Sequence, residues 1–126
     1  MRSRRSRIKE YFFKKKTVKK DKEGGEYVEY GAAVSFPGIT WPASGKVQAM
    51  QYGQRLPYVY NLNVIGKYEC RFDAEKSNTV YHFPEIEMEL SELDGICLFC
   101  GEEEGPDYKI VSVKPYHPLL LEVEKI

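Results

Sequence analysis

The sequence predicts a mainly β protein, a small antiparallel β-barrel or sandwich of six to seven strands with one short helix. Three observations lead to this fold class. Apolar and polar residues alternate in several short segments, Gly- and Pro-containing turns separate these segments, and aromatic residues make up 13% of the chain. Because 126 residues suffice for one core and not for two, we expect a single domain over residues 1–126, with a basic N-terminal arm at about residues 1–7.

The N-terminal part predicts two strands joined by a turn. The first strand covers residues 7–18, where Ile8, Phe12 and Phe13 stand among charged residues, as in a lysine-guarded edge strand. The sequence DKEGGE then predicts a turn, because glycine permits positive φ. The alternating segment EYVEYGAAVSF predicts the second strand, which a Pro-Gly pair ends.

A short helix is predicted in WPASGKVQAMQYGQRL, the segment that begins at Trp41. Ser44 has the residue type of an N-cap, and Val47, Met50 and Leu56 fall near one helical face. We therefore expect two to three helical turns. The narrow apolar stripe should lie against the outside of a sheet and leave the polar side free.

The rest of the chain predicts one strand, a polar region and a final meander. After Pro57, YVYNLNVIGKY alternates as a strand does. Residues 69–85 are expected to form a long loop with a short strand near residues 79–83, and IEMELSEL fits either a strand or a turn of helix. The segments ICLFC, YKIVSVK and LLLEVEKI predict an antiparallel meander, which the pair Asp94 and Gly95 opens.

The charges are divided along the chain although their sum is zero. Residues 1–22 hold eleven Lys or Arg and two acids, whereas residues 69–126 hold fourteen acids and five bases. This division fits an anionic partner or copies that stack basic face on acidic face, and solvated strand faces explain it equally well. Since the sequence has neither an eighteen-residue apolar run nor a signal-peptide pattern, we expect a soluble protein without membrane association.

The three cysteines, Cys70, Cys97 and Cys100, favour free thiols in a reducing compartment, because no export signal accompanies them. The CLFC spacing indicates a metal site only weakly, since a zinc ribbon needs two such pairs and the possible extra ligands are Cys70, His82 and His117. If ICLFC forms a strand, its two cysteine sulfurs point to opposite faces of the sheet. We therefore expect buried thiols, with no metal and no cofactor.

The sequence contains no catalytic constellation, because it lacks a nucleophile elbow, a P-loop and a dinucleotide fingerprint. We expect that the protein is not an enzyme. One hypothesis is a small nucleic-acid-binding β-barrel that touches the DNA backbone, without sequence preference, through its basic N-terminus. The candidate contacts with DNA or a partner are Arg2, Arg4, Arg5, Arg7, Lys14, Lys15 and Lys16.

Four segments follow one another in an order that resembles the small head-tail connector proteins of tailed bacteriophages and prophages, in particular the head closure or stopper type. They are EYVEYGAAVSF, WPASGKVQAMQYGQRLPYVYNLNV, DGICLFC and PDYKIVSVKPYHPLLLEVEKI. The resemblance covers residues 26–64 and 94–126, and residues 66–93 do not match the family pattern. It implies a virion structural protein, made in the bacterial cytoplasm, that forms a ring between the portal or adaptor and the tail proteins. A tail-completion protein is a related alternative.

In such a ring, heterologous contacts join identical subunits, and aromatic burial supplies most of the association energy. Charged loops would steer the contact and add little affinity. The candidate interface residues are Trp41, Tyr52, Tyr58, Glu102, Glu103 and Glu104. For Trp41, a place as a cap on the barrel core is an equally good interpretation.

Overall fold

The computed structural model describes residues 8–75 and 77–126. This part of the chain forms eleven strands, one α-helix and one 3-10 helix. The strands are β1 (Lys9–Lys14), β2 (Lys16–Lys20), β3 (Glu26–Tyr30), β4 (Val34–Pro42), β5 (Val59–Val64), β6 (Glu69–Asp73), β7 (Asn78–Phe83), β8 (Met88–Leu90), β9 (Gly95–Cys97), β10 (Tyr108–Lys114) and β11 (Leu119–Lys125). The helix α1 spans Lys46–Tyr52, and the 3-10 helix follows it at Gly53–Tyr58.

Six strands close into a barrel in the order β1-β4-β5-β11-β10-β9, and every neighbouring pair is antiparallel. The mainly β class, the small antiparallel barrel and the single short helix are therefore confirmed, as is the final meander of β9, β10 and β11. Gly38 on β4 is paired with Val64 on β5, at a point where the two backbones lie very close together. A Cβ atom at Gly38 would approach the backbone oxygen of Asn63 to 2.8 Å, so only glycine fits there without a shift.

The core results from alternation along the barrel strands. On β5 and β11, the fully buried Leu62, Val64, Leu121 and Val123 point inward. Each such side chain contributes about 1.5–3 kcal/mol by leaving water. Closure of the sheet leaves this core no open edge, which accounts for its complete burial.

The first predicted strand is divided at Lys15. β1 is an interior barrel strand between β4 and β9, so its prediction as an edge strand is wrong. β2 leaves the barrel and pairs only with β3, as an exposed hairpin. The break occurs because the backbone N–H of Lys16 donates to the Asp94 carboxylate (3.0 Å) and not to a barrel neighbour. The predicted turn is confirmed, and the Asp21 carboxylate accepts the backbone N–H of Gly25 (2.7 Å) within it.

The polar region after β5 is a three-stranded sheet, β6-β7-β8, and not the long loop that its sequence predicts. The short strand expected near residues 79–83 lies within β7, and IEMELSEL contributes the strand β8. Phe83, Met88 and Leu90 pack into the barrel core, so one face of this sheet covers the barrel. The loop prediction failed because β6 is almost entirely exposed and shows no apolar alternation.

The sequence predicts the position of α1 correctly, but its prediction of the buried face of the helix is wrong. Val47 and Met50 are 75% and 80% exposed, while Tyr52 is buried. Gly45 is the N-cap and no side chain caps the helix, so the Ser44 prediction is also wrong. The helix turns its polar Gln48 toward the barrel because the wall beneath it carries polar partners.

The CLFC segment ends its strand at Cys97 and then bends. The thiols of Cys97 and Cys100 therefore lie close enough for each to influence the pKa of the other, which corrects the expectation that they diverge. Cys97 is buried as expected, Cys100 is partly exposed and Cys70 is exposed, and all three are free thiols.

Candidate functional site

Helix α1 lies on the outer wall of the barrel, across β5 and β11. The side-chain amide of Gln48 donates to Asn61 Oδ1 on β5 and to Glu122 Oε2 on β11, each at 2.7 Å. Beside this polar contact, Tyr52 packs with Val59 and other residues in a small second apolar cluster. These contacts fix the orientation of the helix on the wall.

Glu122 is a fully buried carboxylate with incomplete hydrogen bonding. Among the described residues its Oε1 atom has no hydrogen-bond partner, and Lys114 Nζ lies 3.7 Å away. The buried Tyr52 hydroxyl lies beside this carboxylate and likewise meets no partner at normal hydrogen-bond geometry. Burial first, and the negative charge of Glu122 second, raise the pKa of Tyr52 to about 12.

The outward side of α1 presents apolar side chains to solvent. Val47 and Met50 project away from the barrel, opposite to Gln48 and Tyr52. Trp41 pairs with Asn61 across β4 and β5, and directly paired residues share one face of a sheet, so Trp41 lies on the same outer wall. These three side chains form an exposed apolar surface on one side of the molecule.

The predicted aromatic anchors occupy different environments. Trp41 is 38% exposed and belongs to neither buried cluster among the described residues, which favours a surface location over a cap on the core. Tyr58 is 55% exposed. Tyr52 is buried beneath α1, where it attaches the helix to the barrel and presents little surface to a partner.

The predicted acidic residues Glu102, Glu103 and Glu104 are exposed in the loop between β9 and β10. This loop folds back over the outer wall formed by β9 and β1. Lys14 Nζ donates to the backbone oxygen of Glu104 at 2.6 Å. Pro106 packs against Gly95 so closely that a Cβ atom at Gly95 would meet its ring at 2.6 Å.

The base of the acidic loop is held by Asp107, whose carboxylate accepts the backbone N–H groups of Leu98 (2.8 Å) and Phe99 (3.0 Å). Phe99 contacts the rings of Tyr60 and Tyr108 edge to face, yet it remains 63% exposed. The loop therefore combines a fixed base with an exposed aromatic ring and exposed carboxylates.

The two CLFC thiols lie under this loop. The Cys97 and Cys100 sulfurs approach the backbone oxygens of Glu104 and Gly105 at 3.9 and 3.4 Å. Burial raises the pKa of both thiols, that of Cys100 to about 12, so both stay protonated at neutral pH. Within the described residues, no three His, Cys, Asp or Glu side chains form a group that could hold a metal ion.

Of the predicted basic contacts, Arg2, Arg4, Arg5 and Arg7 lie outside the described residues. Lys14 is buried against the acidic loop. Lys15 forms an ion pair with the buried Asp94 (3.0 Å). Lys16 is partly exposed, and Lys19 and Lys20 on the same strand are exposed. Lys19 also forms an ion pair with Glu29 (2.6 Å), so three of these five lysines are engaged within the chain.

A groove of about 360 Å³ separates the hairpin β2-β3 from the turn at residues 91–94. Its charged lining includes Lys15 and Asp94, which neutralise each other, and its apolar lining includes Val18 and Leu93. Leu93 adopts φ of +76°, a conformation that non-glycine residues rarely take. The groove is open, and its ionisable side chains are already paired or exposed.

Sequence reasoning missed the contacts of the partly buried Gln48 and of the buried Asp94 and Glu122, which lie where the helix and the hairpin meet the barrel. Glu122 occupies an outward position in the alternating segment LLLEVEKI, where a solvated carboxylate is the ordinary expectation. Nothing local distinguishes it from Glu124, which is only partly buried and pairs with Arg55, so only the packing of α1 identifies it.

None of the helical segments in the described part of the chain has the length and apolar character that a bilayer crossing demands. Comparison of the chain with protein-family models, with curated proteins and with solved structures gives no match. The functional interpretation therefore depends on the surfaces described above and on the order of the sequence segments.

Proposed function

We propose that the protein is a structural component of a phage or prophage particle, a head-tail connector of the head closure type that acts by assembly and not by catalysis. It would form a ring between the portal or adaptor and the tail proteins, in the bacterial cytoplasm during assembly and in the virion afterwards. The assignment to phage rests on the resemblance of the sequence segments. The mechanical role rests on the surfaces of the barrel.

One observation carries the assembly proposal: α1 is firmly attached to the barrel and yet exposes Val47 and Met50 almost completely. A monomeric protein gains nothing by presenting such side chains on a fixed support, since their burial would release about 25 cal/mol per Å². A second protein surface would recover this free energy. The closed barrel supports the same role, because a sheet without edges resists uncontrolled strand pairing.

A decisive experiment for this function is mass spectrometry and immunogold labelling of particles produced by the host strain. We expect the protein in purified particles, with label at the head-tail junction, and we expect its deletion to yield heads that do not join tails. Its absence from every particle, with normal joining in the deletion strain, would contradict the proposal. A strain complemented with the intact chain serves as the control.

The second candidate, a nucleic-acid-binding barrel, is favoured by the exposed Lys19 and Lys20 on β2, which follow the basic N-terminal arm in the sequence. Deletion of residues 1–7 distinguishes the two functions. The connector hypothesis predicts negligible affinity for free DNA before and after the deletion. The nucleic-acid hypothesis predicts strong binding at low salt that the deletion abolishes.

A further inference from the structure

The exposed apolar face of α1 and the glutamates of the acidic loop lie over different strands of the barrel. α1 crosses β5 and β11, whereas the loop covers β9 and β1. In the closed order β1-β4-β5-β11-β10-β9, a single strand separates the two walls on each side, β4 on one and β10 on the other. The glutamate end of the loop therefore lies about half a turn around the barrel from α1, whereas Phe99 reaches the ring of Tyr60 on β5, a strand of the helix wall.

The two surfaces are complementary in charge and composition. The helix patch consists of Trp41, Lys46, Val47 and Met50. Residues 41–58 contain no acid and two basic side chains, of which Arg55 is paired with Glu124, and this leaves Lys46 as the basic residue of the patch. The acidic patch consists of Phe99, Glu102, Glu103 and Glu104, and residues 99–107 around it contain four acids and no base. All members of both patches are exposed or largely exposed, so each can meet a partner without rearrangement of the barrel.

We propose that the helix patch of one copy binds the acidic patch of the next copy, head to tail. Met50 and Val47 would pack on Phe99, and Lys46 would face the glutamates of the loop. Two different patches that are complementary form a heterologous contact, which propagates and closes into a ring when the rotation per subunit permits it. This inference rests on the proposed assembly function and adds the surfaces through which the copies meet.

Two single substitutions isolate the two halves of this contact. Met50→Asp places a carboxylate in the helix patch, and Glu103→Lys reverses a charge in the acidic patch. Both positions are exposed, so both variants should have the same free energy of unfolding as the wild-type chain. Phe72→Asp and Glu75→Lys are the matched controls, because Phe72 is 70% exposed and Glu75 is exposed at the other end of the fold.

The full chain is studied by sedimentation velocity and native mass spectrometry at low salt and about 1 mM protein, which populates complexes with millimolar Kd. We expect wild-type protein and both controls to form dimers and larger species. The association constant of each patch variant alone should be at least tenfold lower than that of the wild-type chain. An equimolar mixture of the two variants should form a heterodimer and stop there, because only one intact interface remains.

Carbodiimide crosslinking of mixed light and isotope-labelled copies should join Lys46 of one copy to the glutamates of the acidic patch of another. High salt should weaken both the heterodimer and these crosslinks. A mixture that stays monomeric would overturn the proposal. So would a Glu103→Lys variant that associates like wild type, since that result indicates a twofold contact between helix patches.

The outcomes separate this inference from the proposed function. A heterodimer in the variant mixture, with no protein in phage particles, leaves the head-to-tail contact intact and removes the connector role. The protein in particles, with no heterodimer in the mixture, supports the connector role and shows that its ring uses other surfaces.

Discussion

A buried carboxylate lies at the contact of the barrel with the hairpin and another at its contact with α1, and the two differ in how completely they are hydrogen-bonded. At the hairpin β2-β3, Asp94 accepts the backbone N–H groups of Lys16 (3.0 Å) and Ser91 (2.9 Å) and the ammonium of Lys15 (3.0 Å). At α1, Glu122 accepts one hydrogen bond from Gln48, and its other oxygen has none.

The two carboxylates therefore differ in their effect on stability. Asp94 stabilises the hairpin that it contacts, whereas Glu122 makes a polar contact whose desolvation cost is not fully recovered. A buried carboxylate that is fully hydrogen-bonded stabilises what it holds, whereas one with an unpaired oxygen loses hydration without full compensation. The hairpin is therefore held by Asp94 itself. The helix is held by Gln48 and by the packing of Tyr52, and Glu122 contributes little net stability.

The largest effect is expected for Asp94→Ala, which removes the acceptor of two backbone N–H groups. We expect the free energy of unfolding to fall by about 3 kcal/mol in urea titrations. Amide exchange at Lys16 and Ser91 should accelerate strongly. Asp21→Ala, which affects only the exposed hairpin turn, is the control and should cost much less. Equal losses of unfolding free energy in the two variants would show that Asp94 does not hold the hairpin to the barrel.

A smaller loss is expected for Gln48→Ala, which leaves Glu122 and Asn61 without their shared partner. The free energy of unfolding should decrease by about 2 kcal/mol, even though alanine favours the helix. Gln51→Ala on the exposed side of α1 should be neutral or slightly stabilising. If Gln48→Ala matches that control, then packing alone holds the helix to the wall.

Tyr52 adds a pH dependence to the helix attachment. Its pKa rises on folding from the ordinary value of 10.0 to about 12, so its stabilisation is complete below pH 10 and is lost as the pH rises toward 12. Tyr52→Phe should reduce the slope of stability against pH in that range by at most about 1.4 kcal/mol per unit. Equal slopes in the wild-type and Tyr52→Phe chains would contradict the assignment.

The smallest effect is expected for Glu122→Gln, which keeps an acceptor for Gln48 and removes the buried charge. We expect the free energy of unfolding to change by less than about 1 kcal/mol in either direction, by chemical denaturation at neutral pH. A loss as large as that of Asp94→Ala would show that Lys114 pairs with Glu122 more strongly than their 3.7 Å separation indicates.

Several features of the fold could be predicted from the sequence because they depend on neighbouring residues. The barrel strands β5 and β11 follow from period-two alternation of Val and Leu, and the hairpin turn follows from the two glycines that Asp21 precedes. The position of α1 also follows from local composition. In the candidate site, the exposure of Tyr58 and of the glutamates of the acidic loop agrees with expectations from residue type.

Other features depend on partners far along the chain and had no local signal. β6 became a strand by pairing with β7, although its own residues are exposed. The orientation of α1 was decided by Asn61 and Glu122, which lie 13 and 74 positions from Gln48. The convergence of Cys97 and Cys100 was decided by a bend that Asp107 stabilises.

By itself, the sequence determined that this chain builds a β scaffold with one helix, because the period of its apolar residues and the chemistry of its turns are properties of adjacent positions. Only the tertiary structure decided which side of the helix meets solvent and on which walls the helix patch and the acidic patch lie. Strand order and side-chain pairing create these surfaces, and neither can be derived from residues that are close in sequence.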